Sequence, residues 1–168
     1  LQSGNDCAAG IAEHISGSQE AFAELMNTEA KQLGATGTHF VNPHGLHDEN
    51  HYTTTYDLYL MFNEALKDQV FLDIISMNSY TATVTSADGT SYTPTWQATN
   101  YYSAGEATPP DGIHVYGGKT GTTDQAGSCV ILYEKNTAGE PYISVIMGAS
   151  DKPLLYEEMN ELLDAGMK

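Results

Sequence analysis

Apolar residues in the first part of the chain recur at helical spacing, between residues that begin and end helices. The alanine-rich stretch from Asp6 to Ser16 predicts a first helix, with Asn5 or Asp6 as its N-cap, because such side chains accept hydrogen bonds from the first turn. Ser18 predicts the N-cap of a second helix, which ends at Gly34. The apolar positions of this second helix share one face: Phe22, Leu25, Met26, Ala30 and Leu33.

A polar segment, residues 34–54, follows the second helix and is rich in turn-forming residues, so we expect an irregular loop there. Thr55 and Asp57 predict the start of a third helix, which continues to Leu66. A short apolar segment at residues 70–75 comes next. The first half of the chain is therefore predicted to consist of helices and loops.

The hydrophobic period then changes from helical to alternating. Apolar and aromatic residues alternate with threonine from Tyr80 to Val84, and Asp88-Gly89 is typical of a hairpin turn. Residues 92–96 form the predicted return strand. Three aromatic side chains at the end of this segment and just after it, Trp96, Tyr101 and Tyr102, are expected to pack against the sheet rather than to stack on a sugar.

Two further strands and a final helix complete the pattern. The strands are predicted at residues 128–134 and 142–147, after a loop at residues 105–112 that contains two adjacent prolines. The helix spans about residues 152–165 and has a predicted buried face: Leu155, Met159, Leu162 and Leu163. Helices followed by antiparallel strands and a last helix indicate the α+β class, with an antiparallel sheet packed by helices.

Composition narrows the possible partners. The 168 residues suit a single domain, and 40% hydrophobic with 17% charged residues is typical of a globular chain. Six lysines, no arginine and 22 acidic residues give a net charge of −16, which excludes a nucleic-acid partner because phosphate binding needs a basic surface. Two cysteines, Cys7 and Cys129, are more consistent with buried thiols than with a disulfide bridge.

Two short motifs contain the residue types of acyl-transfer chemistry. Ser3-Gly4-Asn5 lies where the first helix begins, and Gly118-Lys119-Thr120-Gly121-Thr122-Thr123 lies just before or on a strand. Together with a Ser-x-x-Lys motif, this pair forms the signature of penicillin-binding proteins and serine β-lactamases. Either motif alone is weak, but their order and context make a chance pairing improbable.

The chemistry accounts for these residue types. A second hydroxyl, Ser3, can relay a proton, and the Asn5 amide can hold the relay and the substrate in place. Lys119 supplies positive charge near a substrate carboxylate, and Thr120 offers that carboxylate a hydroxyl. Gly121 lets a substrate backbone approach the strand, and the Thr122 amide is a candidate oxyanion-hole donor.

The segments QSGNDCAAGIAEHISGSQEAFAELMNTEAKQLG, THFVNPHGL, TTTYDL and GGKTGTTDQAGSC resemble the D-alanyl-D-alanine carboxypeptidases, which are low-molecular-weight penicillin-binding proteins. The resemblance implies a serine β-lactamase/DD-peptidase-like fold without cofactor or metal. It also implies a serine acyl-enzyme of the bacterial cell envelope that removes the terminal D-Ala from peptidoglycan stem peptides and reacts with β-lactam antibiotics. Carried over by position, Ser3, Asn5 and Lys119 are catalytic, and Thr120, Gly121 and Thr122 bind substrate.

The sequence departs from the family pattern in two ways. No Ser-x-x-Lys occurs in the 168 residues, and the family has this motif several tens of residues upstream of the Ser-x-Asn motif. Residues 1–168 are therefore expected to be the C-terminal portion of a single DD-peptidase domain, inactive alone, which the N-terminal part or a second chain must complete. The absence of arginine leaves Lys119 and Thr120 to hold the terminal carboxylate.

Two other interpretations stay open. A non-catalytic module that binds peptidoglycan or a partner would explain the missing nucleophile motif, although it would not explain the intact GGKTGTT. The loop also contains four histidines with Asp48 and Glu49 among them, a set that could bind zinc: His39, His44, His47 and His51. Because Pro43, Gly45 and Asn50 interrupt this segment, zinc binding is the weaker hypothesis.

Overall fold

Six helices and seven strands make up the part of the chain that the computed structural model describes, residues 1–166. The helices are α1 (Asn5–Ser16), α2 (Gln19–Gln32), α3 (Thr55–Ala65), α4 (Gln69–Ile75), α5 (Tyr101–Ala104) and α6 (Lys152–Gly166). The strands are β1 (Ser79–Thr81), β2 (Val84–Thr85), β3 (Ser91–Tyr92), β4 (Thr95–Gln97), β5 (His114–Thr123), β6 (Gly127–Lys135) and β7 (Pro141–Ala149). This element order is the predicted α+β arrangement.

Side-chain caps fix where most of the helices begin. Ser18 accepts a hydrogen bond from the Ala21 amide at the start of α2, and Thr54 accepts one from the Asp57 amide at the start of α3. The expected Asn5 or Asp6 cap of α1 is wrong, because Gly4 is the N-cap and Asn5 is already the first helical residue. Asn5 therefore lies in the first turn of α1, and its side chain does not cap the helix.

Strands β5, β6 and β7 form an antiparallel sheet in that spatial order. Lys119 of β5 is opposite Ile131 of β6, and Gly121 is opposite Cys129. The outer edges of β5 and β7 pair with no strand among residues 1–166. His114 was expected in a loop, but it is the first residue of β5.

The main core lies between this sheet and α6. Its members are Val130, Leu132, Ala149, Leu155, Tyr156, Met159 and Leu163, all 5% exposed or less. Burying a side chain of the size of Leu132 or Met159 stabilises the fold by about 1.5–3 kcal/mol. Leu162 was also expected in this core, but it is 41% exposed because it lies toward the solvent side of α6.

Two consecutive glycines hold β5 close to its neighbours. A Cβ atom at Gly117 would lie 2.1 Å from the backbone oxygen of Ile75, at the end of α4. A Cβ atom at Gly118 would lie 2.0 Å from the backbone oxygen of Ile131 on β6. No side chain fits at either position, so backbone contacts on both sides fix the strand immediately before Lys119.

Residues 79–97 form a β-hairpin, which we call the arm. Strands β1 and β4 pair at its base, β2 and β3 pair near its tip, and the turn is at Asp88-Gly89 as predicted. The partly buried Trp96 ring packs on Tyr80, its partner across the β1–β4 pair, with ring centroids 6.2 Å apart. Tyr101 and Tyr102 pack at the core, where both rings contact Tyr156 of α6.

Both cysteines are free. The expected burial of Cys7 is wrong, because Cys7 is exposed on α1, and Cys129 is partly exposed. In the described part of the chain, the helices are too short or too polar to cross a membrane.

Candidate active site

A cleft of about 430 Å³ lies between the start of α1, the loop of residues 38–54 and the second half of β5. The two sequence motifs, whose residues Ser3 and Lys119 are 116 positions apart in the chain, meet in it. The lining residues are Ser3, Asn5, Met26, Phe40, Asn42, Pro43, His44, Gly45, Leu46, His51, Lys119, Thr120, Gly121, Thr122 and Thr123. All six residues that the sequence predicted for the site therefore line one cleft.

Lys119 joins the two motifs directly. Its ammonium group donates to the Ser3 hydroxyl oxygen at 2.5 Å and to the backbone carbonyl of Thr120 at 2.5 Å. Burial of the ammonium group lowers the pKa of Lys119 from its ordinary value, since the cleft wall removes part of its hydration. A lysine with a lowered pKa releases its proton more easily, so the pair can pass a proton between the amine and the serine hydroxyl.

Thr120 and Gly121 follow Lys119 along β5. The Thr120 side chain is held by a hydrogen bond, whereas Gly121 borders open space. The Thr120 hydroxyl lies 2.6 Å from the Thr99 hydroxyl, so a bound carboxylate would share this hydrogen-bonded pair. A Cβ atom at Gly121 would meet nothing within 4 Å, which leaves the strand open to an approaching backbone. Thr122 is exposed at the far end of the cleft. Thr99 was not predicted from the sequence, because nothing in the residues around Thr99 indicates a contact with Thr120 on β5.

The opposite wall is the loop of residues 38–54, which polar contacts hold in place. Asp57, 5% exposed, accepts hydrogen bonds from the Gly37 amide at 2.8 Å and the Thr38 hydroxyl at 2.7 Å. Asn27 of α2 exchanges two hydrogen bonds with the backbone of Phe40, at 2.7 and 2.8 Å. The loop is therefore irregular, as predicted, yet fixed against both α2 and α3.

Three polar residues of this wall face the cleft. The side-chain Oδ1 of Asn42 accepts a hydrogen bond from the Gly45 amide at 2.7 Å, a local turn that the Asn-Pro-His-Gly sequence could have indicated. His51 accepts from the Val41 amide at 3.2 Å, and burial lowers the pKa of His51 although the nearby Asp48 carboxylate opposes the shift. A lowered pKa keeps His51 neutral near pH 7, so this wall provides imidazole and amide groups rather than positive charge.

The four histidines of the loop do not form a metal site. Within residues 1–166, no three side chains of His, Cys, Asp or Glu come together in an arrangement that could hold a metal ion. Three of the rings use Nδ1 for contacts to the loop backbone instead: His39, His44 and His51. These hydrogen bonds stabilise the conformation of the loop.

A second, apolar groove of about 670 Å³ lies beside the cleft, along the apolar face of α2. Phe22, Leu25, Met26 and Leu33 line it together with Phe40 and Met61. Leu25 is 52% exposed, whereas Ala30 on the same predicted face is buried at 2%. The apolar face of α2 is thus covered only in part by the described residues.

Comparison with known proteins supports one family. The family model described as D-alanyl-D-alanine carboxypeptidase matches residues 1–151. The D-alanyl-D-alanine carboxypeptidase DacF of Bacillus subtilis is 33% identical over 98% of the chain, and DacA of Haemophilus influenzae is 32% identical over 98%. The chain spans 39% of the length of the first relative and 38% of the second.

Solved structures give the same result. A D-alanyl-D-alanine carboxypeptidase from Mycobacterium tuberculosis superposes with a TM-score of 0.81 and 27% identity, over 99% of this chain and 60% of that one. A mutant of a DD-transpeptidase from Streptomyces superposes with a TM-score of 0.89 and 25% identity, over 99% of this chain and 64% of that one. The expected DD-peptidase-like α+β fold is confirmed.

Proposed function

Because the chain belongs to the D-alanyl-D-alanine carboxypeptidase family, we propose that it provides two walls of the active site of a serine-type D-Ala-D-Ala carboxypeptidase. The substrate is the stem peptide of peptidoglycan, and β-lactam antibiotics compete for the same cleft. The contact that carries the proposal is the hydrogen bond between Lys119 and Ser3, which joins two motifs that lie 116 residues apart. Ordinary surface residues have no reason to meet in this way.

The proposed reaction passes through an acyl-enzyme. A serine hydroxyl, which the missing Ser-x-x-Lys motif would supply, attacks the carbonyl carbon of the last peptide bond and gives up its proton toward Ser3 and Lys119. The C–N bond then breaks, the acyl group stays on the serine as an ester, and the terminal D-Ala leaves as a free amine. Ser3 and Lys119 deliver the proton that this amine needs, and Asn5 orients the relay and the substrate amide. Water then attacks the ester and restores the serine.

Strand β5 holds the substrate. Its outer edge is unpaired among residues 1–166, so an extended peptide can lie alongside it. Lys119 and the hydroxyl of Thr120 attract the terminal carboxylate, and Gly121 leaves room for the peptide backbone. The Thr122 amide contributes to the oxyanion hole.

We further propose that residues 1–168 are one portion of a single domain and need another portion, or a second chain, for activity. Three observations support this: the lack of Ser-x-x-Lys in the sequence, the open apolar groove along α2, and the unpaired edge of β7. The complete protein would act where peptidoglycan is, in the cell envelope outside the cytoplasmic membrane.

The test uses the protein expressed from its complete gene and a fluorescent penicillin. Lys119→Ala should slow acylation by at least roughly 100-fold, because a positioned proton-transfer group contributes about 10²–10⁴ to the rate. Lys135→Ala is the matched control, since Lys135 lies over the rings of Tyr116 and Tyr133 and does not line the cleft. Acylation of the Lys119→Ala protein at the normal rate would contradict the assigned role.

The same assay separates the second candidate, a non-catalytic module that binds peptidoglycan or a partner. The observation that favours it is the absence of Ser-x-x-Lys from these residues. A wild-type protein that takes up no labelled penicillin but still sediments with peptidoglycan would establish the module and remove the enzyme.

A further inference from the structure

The arm, residues 79–97, differs in character from the rest of the chain. The protein has 22 acidic residues and a net charge of −16, yet the arm contains a single charged side chain, Asp88 at its turn. Its other residues are mostly threonines, serines and aromatic residues. An exposed uncharged surface on a strongly acidic protein is suited to a ligand that is itself neutral.

One side of the arm presents stacked aromatic rings. Tyr80 and Trp96 are direct partners across the β1–β4 pair, and their rings are inclined by 19° at a centroid distance of 6.2 Å. Tyr80 is 48% exposed. Farther out, Tyr92 is opposite Val84 and is 53% exposed. The half-exposed Tyr80 ring, backed by the partly buried Trp96 ring, forms an apolar surface with a hydroxyl at its margin, which we call the Tyr80–Trp96 platform.

The hydroxyl groups of the neighbouring cross-strand pairs are already hydrogen-bonded to each other. The hydroxyls of Thr81 and Thr95 lie 2.7 Å apart, and those of Thr85 and Ser91 lie 2.9 Å apart. These side chains alternate with the aromatic ones along the strands, so they belong to the other side of the hairpin. They stabilise the arm, which leaves the aromatic side available for a ligand.

The base of the arm connects to the wall of the cleft through Thr99. The Ala98 amide donates to the Asn78 carbonyl at 2.8 Å and closes the hairpin. The next residue, Thr99, makes the hydroxyl contact of 2.6 Å with Thr120 of the cleft wall. Trp96 is three residues from Thr99, a distance of about 10 Å along an extended strand. A polymer with a side branch in the cleft would therefore have its main chain near the arm.

We propose that the Tyr80–Trp96 platform binds the glycan strand of peptidoglycan, by stacking on the apolar face of an N-acetylated sugar ring. The inference deepens the proposed function, on which it rests, since that function places a stem peptide in the cleft. Sugar rings match the platform in three ways: they are flat on one side, they are neutral, and their hydroxyl rims can hydrogen-bond to the Tyr80 hydroxyl and to water. The platform thus distinguishes stem peptides on polymer from free peptides.

The experiment measures binding of chitotetraose, a soluble N-acetylglucosamine oligomer, by titration calorimetry on the protein from its complete gene. Tyr80→Ala should weaken binding by roughly tenfold, which corresponds to about 1.4 kcal/mol. Trp96→Phe keeps an aromatic ring and should stay within about threefold, roughly 0.65 kcal/mol. Thr83→Val, at an exposed threonine of the arm outside the ring pair, is the matched control and should bind as the wild type does.

Several results would overturn the proposal. The first is that the wild type gives no heat of binding with millimolar chitotetraose. The second is that Tyr80→Ala binds chitotetraose as tightly as the wild type does. The third is sedimentation showing that a second copy of the protein covers the platform. Acylation by soluble penicillin keeps the two proposals apart, because penicillin has no glycan. Lost chitotetraose binding with normal acylation in Tyr80→Ala supports the platform, and glycan binding without any acylation removes the enzyme while the platform stands.

Discussion

Glu134 of β6 should make the stability of the fold depend on pH. Its carboxyl is buried against α6 at 1% exposure. The Ser144 hydroxyl donates to Oε1 at 2.6 Å, and Oε2 has no hydrogen-bond partner among residues 1–166. Burial therefore raises the pKa of Glu134 from 4.5 to about 7, although the hydrogen bond from Ser144 opposes the shift.

The raised pKa of Glu134 determines how the stability of the fold changes with pH. Between pH 4.5 and about 7 the unfolded chain loses the Glu134 proton while the folded chain keeps it, so the free energy of unfolding falls as pH rises through this window. One pH unit corresponds to 1.36 kcal/mol, which makes the folded state about 3 kcal/mol less stable at pH 8 than it would be with a neutral side chain. Below pH 4.5 this penalty is absent.

The Glu134→Gln variant isolates the effect, because glutamine has the same shape and no charge. Urea unfolding should show a gain of about 3 kcal/mol at pH 8 and little difference at pH 4.5. Glu158→Gln is the control, since Glu158 is exposed on α6 and its replacement should matter equally little at both pH values. A Glu134→Gln gain that is the same at both pH values, or a loss at pH 8, would refute the reasoning.

Two further sets of variants test the backbone that positions the cleft. Gly118→Ala should destabilise the fold by about 3 kcal/mol or more, because its Cβ would lie 2.0 Å from a backbone carbonyl of β6, whereas Gly121→Ala meets no atom within 4 Å and should leave Tm almost unchanged. Equal Tm values in differential scanning fluorimetry would contradict this. Asp57→Ala removes the acceptor of the Gly37 amide and the Thr38 hydroxyl, so urea unfolding should show a loss of about 2–4 kcal/mol. A loss below about 0.5 kcal/mol would show that water replaces the carboxylate.

Features encoded over a few residues could be predicted from the sequence. The Ser18 cap, the Asp88-Gly89 turn and the strand period around Tyr80 each depend on neighbours only a few residues away, and the structure contains all of them. The two motifs predicted a shared cleft, and Ser3 and Lys119 do meet in it.

The wrong predictions concern which side of an element is covered. Leu162 and Cys7 lie on helix faces that the described residues leave exposed, and apolar spacing does not reveal how wide the covering surface is. Trp96 is large and apolar, like many core residues, but its ring neighbour is the half-exposed Tyr80 on the opposing strand, outside the main core. Thr99 could not be identified either, since its contact with Thr120 exists only after α5 and β5 have packed.

The position of Lys119 has a consequence for how an anionic ligand reaches the cleft. The protein has a net charge of −16, so a carboxylate that diffuses toward it is repelled over the range of a Debye length, about 8 Å at physiological ionic strength. Attraction begins only near the ammonium group, at contact distances much shorter than a Debye length. Dissolved ions therefore weaken the distant repulsion more than the final contact. If the cleft binds a carboxylate as proposed, we expect its rate of association to rise with ionic strength, because salt screens the repulsion through which the ligand must diffuse.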